Sequence, residues 1–252
     1  MRRALPAIAA LTYAFLHLPL AVLMVFSFNE SRFTVWEGFS LHWYRELFAD
    51  ARMMEATWNS LFIAATATAA ATVMGTACAY GLWKRGAPIL SGTLYLSLVT
   101  PEIVTGVSML AFYQFLFRYM DLRLGLHTVI LAHIAFSIAF VVVVVKARLK
   151  TVDASLEEAA MDLGATHWGA FWRVTLPALG PGIAAAALLA FTISFDDYVI
   201  TSLVAGVDSE TLPMVIYAMA RRGVNPTVNA ISALIVAGLG VFILIAERLQ
   251  EA

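Results

Sequence analysis

Five stretches of this chain, residues 4–28, 59–83, 126–145, 176–195 and 223–246, carry no charged side chain; a sixth, 87–117, carries one, Glu102. A helix needs about 20 apolar residues to cross the hydrocarbon core of a bilayer. Inside that core every backbone N–H and C=O must be paired within the segment, which a helix does and an isolated strand does not. Six such runs predict an all-α membrane protein with six transmembrane helices. No repeat, linker or low-complexity tract interrupts them, so residues 1–252 read as a single transmembrane domain. At 61% hydrophobic and 13% charged, the chain is too apolar for an ordinary soluble domain.

Several function classes fall away. A net charge of −1 offers nothing to nucleic acid. The chain has no phosphate-cradling G-x-x-x-x-G-K-[ST], and no G-x-S-x-G, H-E-x-x-H or Cys-rich cluster, so neither an ATPase nor another enzyme is expected. Cys78 is alone and reads as a small core residue. His127 and His133 are six residues apart, poor spacing for a shared metal, so structural roles are expected and no metal site. Arg2-Arg3 ahead of the first run resembles a signal peptide. The run is too long and lacks a small-x-small cleavage site, so an uncleaved span is expected.

Six spans put both termini on one side of the membrane. Nine Lys and Arg fall on that side and seven on the other, and all three lysines, Lys84, Lys146 and Lys150, are among the nine. The positive-inside rule makes that side cytoplasmic.

Between the fourth and fifth runs lies a polar stretch that reads as a helical hairpin. Ser155 with Glu158 fits a capping box. Glu157 and Glu158 fall at the positive end of the helix dipole. Leu156, Ala160 and Leu163 share a face at helical spacing. Gly164 supplies a left-handed stop. A second short helix is expected over residues 166–173, and Pro177 opens the next span.

The run Glu158-Ala159-Ala160, then Gly164, then Val174-Thr175-Leu176-Pro177, resembles the EAA loop of ABC-importer permeases, E-A-A-x3-G-x9-I-x-L-P. Val174 replaces the usual Ile. In that family the loop forms a coupling helix that docks in a groove of a cytosolic ATPase. The resemblance implies that Glu158, Ala159, Ala160, Asp162, Gly164, Leu176 and Pro177 serve ATPase coupling, within a cytoplasmic loop over about residues 146–177.

The polar loop 29–58 is crowded with aromatics, and an interfacial helix is expected around residues 41–48, or else a landing surface for an external partner. The second run is rich in Ala64, Ala65, Ala67, Ala69, Ala70, Ala71, Gly75 and Ala77, which suits close helix packing in lipid. The fourth run is plain. Pro101 should kink the third run beside Glu102. Phe195, Asp196, Asp197 and Tyr198 close the fifth. Fourteen residues separate Pro88 from Glu102 and Gly182 from Asp196, about 21 Å each at helical rise, which places both acidic sites at similar depth. No Lys or Arg shares this zone. Ionisable groups within the membrane mark functional sites by default. Carboxylates beside aromatic rings suit an organic cation and repel an anion. Asp196 and Asp197 could alternatively sit solvated at the interface.

Further runs narrow the resemblance to the spermidine/putrescine branch: Ser27-Phe28-Asn29, Trp43 to Leu47, Pro101 to Gly106, Phe191 to Ile200, and Gly223-Val224-Asn225-Pro226. That branch usually has Leu or Met where Phe195 stands, and Asp or Glu where Glu102 stands. The resemblance implies the type I (MetI-like) importer permease fold in a bacterial inner membrane. It also implies a homologous second permease, two ATP-binding subunits and a periplasmic polyamine-binding protein. ATP and Mg would be held by the ATPase; none is expected on this chain. The substrate path would use Glu102, Phe195, Asp196, Asp197 and Tyr198. Another amine, an amino-acid derivative or a metal complex as cargo, or a carrier without ATP coupling, stay open at this point.

Overall fold

The computed structural model describes the backbone of residues 4–33, 35–120, 122–223 and 226–251, and their side chains except those of 4, 5, 239 and 242–251. Arg2, Arg3, the side chain of Arg248, and Val224 and Asn225 of the expected turn lie outside the described residues. The described chain is helical, with one isolated bridge between Asn29 and Phe39 and no strand. It forms two compact units, Met1–Glu55 with Val215–Ala252, and Ala56–Met214.

In the first unit, α1 (Ala4–Phe26) exposes Ile8, Leu11, Phe15, Leu18 and Val22. A helix that is apolar all round belongs in lipid or against another chain. The interfacial helix expected at 41–48 is α2 (His42–Ala49), with Trp43 and Leu47 buried and His42, Arg45 and Glu46 outward. The loop ahead of it is built on Asn29, 1% exposed. Its amide donates to Val35 O at 2.8 Å and accepts from Glu37 N at 3.0 Å, while the Trp43 indole donates to Asn29 O at 2.7 Å. The Ser27 hydroxyl meets the Tyr44 hydroxyl at 2.7 Å. The two runs Ser27-Phe28-Asn29 and Trp43-Tyr44 therefore fold onto one another.

α3 (Ala51–Arg85) starts inside the stretch expected to be loop, so the connection is shorter than 29–58. At 35 residues it is about 52 Å long and overreaches the core. In the second unit Ala64, Ala67, Ala71, Gly75 and Ala79 form its buried face, while Ala65, Ala69 and Ala77 lie outward. A Cβ on Gly75 would come within 2.6 Å of Val141 Cγ1 on α6 (Leu126–Leu149), so the close approach needs a glycine. Val141, Val142, Val145 and Leu149 of α6 then share a core with Leu179, Ala186 and Ala190 of α9 (Leu176–Asp196).

The third run is broken, where a kink was expected. α4 (Pro88–Val99) and α5 (Glu102–Phe117) diverge by 110°. Pro101 removes a backbone donor, and it drives Thr100 to an extended ψ of 129°. The depth estimate for Glu102, which assumed one straight helix, fails with it. Among the described residues four helices are long and apolar enough to cross a membrane, Pro6–Phe26, Ala51–Arg85, Leu126–Leu149 and His167–Asp196, and the bent pair makes a fifth. The sixth expected crossing falls in α12 (Pro226–Glu251), whose described apolar part is Pro226–Gly238.

Two details of the hairpin differ from expectation. α7 (Ser155–Asp162) has no capping box; Asp153 Oδ1 takes the Ser155 N–H at 2.9 Å. That bond, with the Ser155 hydroxyl beside it, holds the Asp153 carboxyl below its ordinary pKa. The second short helix, α8 (His167–Ala170), is capped by Thr166, whose hydroxyl accepts from Gly169 N at 3.1 Å. It does not stop at Arg173. A π-turn, Phe171–Thr175, carries it straight into α9. There Leu176 N reaches back to Phe171 O, and the missing N–H of Pro177 falls just past this widened turn.

Candidate functional site

Two broken spans meet around one cavity. α9 ends at Asp196, Asp197 is extended at ψ 123°, and α10 (Val199–Val204) follows. Residue 106 joins the breaks: a Cβ on Gly106 would sit 2.6 Å from Leu203 Cδ1, so α5 lies directly on α10. Non-helical backbone at membrane depth is tolerated where it lines a cavity or is buried in protein. Here the breaks border a cavity of about 790 Å³, whose lining includes Glu102, Asp196, Asp197, Tyr198, Phe112 and Phe136. Among the described residues no Lys or Arg is in the lining, and hydroxyls of Thr93, Ser97 and Ser108 add polar groups to its wall.

The three acids are not equivalent. Asp197 has a side chain only 5% exposed. Its Oδ2 accepts from Thr201 N and Thr201 Oγ1, both at 2.7 Å, and its Oδ1 accepts from Ile200 N at 3.3 Å. His133, 1% exposed on α6, lies 3.5 Å from Oδ2 through Nε2. Its Nε2 meets Thr201 Oγ1 at 2.9 Å and its Nδ1 meets Ser194 Oγ at 2.7 Å. The single proton of Thr201 goes to Asp197, so Nε2 must carry the imidazole proton. This network ties α6, α9 and α10 together. Glu102 and Asp196 are exposed, and neither side chain makes a hydrogen bond or ion pair with a described residue. Glu102 sits in the first turn of α5, where the helix dipole favours a carboxylate.

The cavity thus unites Glu102 with Asp196, Asp197 and Tyr198 from a segment some ninety residues away. Phe195 is not in the lining; its ring stacks on Phe191 at 6.0 Å. The cavity's rings come instead from Tyr198 and from Phe112, Phe136 and Phe140 on α5 and α6. Tyr198 was expected there; nothing in the local sequence marked the three phenylalanines. The fourth run, read as plain, supplies Phe136, Phe140 and His133.

The hairpin residues lie together at the other candidate surface. Gly164 has φ +90°; Ala165 N reaches Ala160 O at 3.0 Å and Gly164 N reaches Met161 O at 2.9 Å, a Schellman stop. Glu158, Ala159, Asp162 and Pro177 are exposed, and Ala160 and Leu176 half-buried. The apolar positions of α7 face out: Leu156 is 50% exposed and Leu163 91%. Sequence reasoning missed Glu157, which is 2% exposed and is the buried residue of α7.

A helical fold of broken spans around a cavity that carries carboxylates, with the short helix α7 outside the spans, is that of an importer permease. Residues 71–252 match the family described as binding-protein-dependent transport system inner membrane component, and the chain belongs to it. It is 42% identical over 241 residues to the putrescine transport system permease protein PotI of Escherichia coli K12, covering 93% of this chain and 86% of that one. It is 38% identical over 241 residues to the spermidine/putrescine transport system permease protein PotC of the same strain, covering 94% and 89%. Its backbone superposes on a bacterial ABC transporter involved in import of the acidic polysaccharide alginate with a TM-score of 0.80 at 16% identity, covering 99% and 94%. That likeness shows the type I importer permease fold alone; cargo has to be argued from the lining. The chain is thus an inner-membrane permease of an ABC importer, a non-catalytic subunit.

Proposed function

We propose that this chain forms half of the translocation path of an ATP-driven importer of polyamines, spermidine or putrescine. The observation that carries the reading is the pair of carboxylates, Glu102 and Asp196, unpartnered among the described residues, on one cavity whose described lining has no basic residue. An unpaired carboxylate in a low-dielectric wall attracts a cation strongly and repels an anion. Two of them, with hydroxyls and aromatic rings, suit a linear molecule with an ammonium at each end. The relatives named for putrescine and spermidine transport support the same cargo class.

Membership of the family supports the following assembly. A homologous permease supplies the other half of the path, and a periplasmic binding protein delivers the cargo. Two ATP-binding subunits hold ATP and Mg and dock on the hairpin. Both termini then face the cytoplasm. The exposed Leu156, Ala159 and Leu163 give the ATPase an apolar, small-residue face, rimmed by Glu158 and Asp162. Glu158, Ala160, Gly164, Leu176 and Pro177 shape and place that face. Phe195 packs behind the path and does not touch cargo.

The test is ATP-dependent uptake by the full assembly in vesicles, with labelled putrescine and unlabelled competitors. Spermidine, a triamine, and short linear diamines should compete, and monoamines and dicarboxylates should not. Uptake blocked equally by a neutral amino acid or an anion would overturn the cargo assignment.

A further inference from the structure

α7 is eight residues long, too short to hold its shape alone. Leu156, and Leu163 just past its end, face outward, and Ala160 and Met161 are only half-buried, so no fully buried apolar side chain holds it in place. What goes inward is a carboxylate. Glu157 Oε1 accepts from the Tyr80 hydroxyl at 2.8 Å and pairs with Lys84 Nζ at 3.0 Å, both from the last turns of α3. Glu157 Oε2 accepts from the Thr175 hydroxyl at 3.0 Å, in the π-turn that opens the 167–196 helix.

The partners are themselves braced. Lys84 lies over the Trp83 ring at 4.9 Å, and the Tyr80 ring packs on Phe171 of the π-turn at 4.6 Å. Burial alone would raise the Glu157 carboxyl. Tyr80, Lys84 and Thr175 together outweigh it and hold the group below the usual glutamate range. A buried charge is tolerated only when it is paired and hydrogen-bonded, and three donors on two oxygens meet that need. Such charge-assisted bonds are short and directional, whereas apolar contacts slide.

We propose that Glu157 is the joint through which movement of α7 reaches the membrane. It is a positioning residue that links the hairpin at once to the end of α3 and to the start of the 167–196 helix. The proposal rests on the reading that α7 docks on the ATPase. When the ATPase moves α7, Tyr80 and Lys84 carry the displacement into α3, a single 35-residue rod. Thr175 carries it into the π-turn, where the i→i+5 ladder gives the helix room to shift. One carboxylate thereby moves two spans together.

The experiment uses the full importer in vesicles, with ATP hydrolysis and labelled-amine uptake measured on the same preparation. Glu157→Gln removes the charge and keeps the shape. Uptake per ATP should fall by about tenfold or more while binding-protein-stimulated hydrolysis continues, and Glu157→Asp should recover part of the loss. Adding Lys84→Met to Glu157→Gln should cost little further, because the pair is already broken. Uptake per ATP within twofold of the parent in Glu157→Gln overturns the joint. Should that variant fail to assemble, the doubly deleted Tyr80→Phe/Thr175→Val decides in the same way, since it removes two donors and leaves the ion pair. The docking reading is checked separately, by cross-linking a cysteine at Ala159 to the ATPase in a Cys78→Ala chain. No cross-link there refutes docking. A normal cross-link with normal coupling in Glu157→Gln refutes the joint alone.

Discussion

The cavity and the hairpin treat their carboxylates in opposite ways. Glu102 and Asp196 are open, with no partner among the described residues. Glu157 is 2% exposed and bonded on both oxygens. Asp197 belongs with Glu157 although it adjoins Asp196, because His133 and Thr201 close over it. The difference separates two uses of charge in an apolar protein. A carboxylate whose donors are all supplied by the fold holds elements together. One left open on a cavity wall is available to whatever passes.

The largest effect should separate the neighbours. Asp197→Ala strands the Thr201 N–H and hydroxyl and the His133 ring; removing one member of such a buried charged set costs about 3 kcal/mol. Asp196→Ala leaves no donor unpaired and should stay within about 0.5 kcal/mol of the parent. Thermal unfolding of the purified chain in nanodiscs compares them. Equal losses would mean that Asp196 has a structural partner.

A smaller effect sharpens the hairpin side. The folded carboxyl of Glu157 binds its proton less tightly than an ordinary glutamate, whose pKa is about 4.3. Its contribution is therefore fully present above that value and is lost as the pH falls through the depressed folded pKa. Amide exchange of α7, corrected for intrinsic rates, should be flat from about pH 5 to 8 and rise only below about 4. The rise should shrink in Glu157→Gln, leaving the part that comes from Asp153, whose carboxylate holds the Ser155 N–H at the start of α7. A change in protection near neutrality would place the control on another group.

Much of the fold was legible because membrane spans announce themselves. The uncharged runs gave α1, α3 and α6, the small-residue face of α3 gave its packing, and Gly164 gave the end of α7. The aromatic loop gave α2. Other features depend on contacts far apart in the chain. Pro101 signals a kink, but the 110° divergence depends on how α5 settles against α10 through Gly106. Asp196 and Asp197 look alike until His133 is brought in from α6. Glu157 was hidden by a sound rule applied to the wrong face: a helix normally buries its apolar stripe, and α7 exposes it. The partner of that carboxylate, Tyr80, is 77 residues away.

The central claim is that the open carboxylates receive a positive cargo. The direct measurement is ATP-dependent uptake of labelled putrescine by the assembled importer carrying Glu102→Gln with Asp196→Asn. Each lost charge-assisted bond is worth about 1.5–3 kcal/mol, so kcat/KM should fall by at least about a hundredfold, with the assembly intact and hydrolysis retained. Uptake unchanged from the parent would contradict the account.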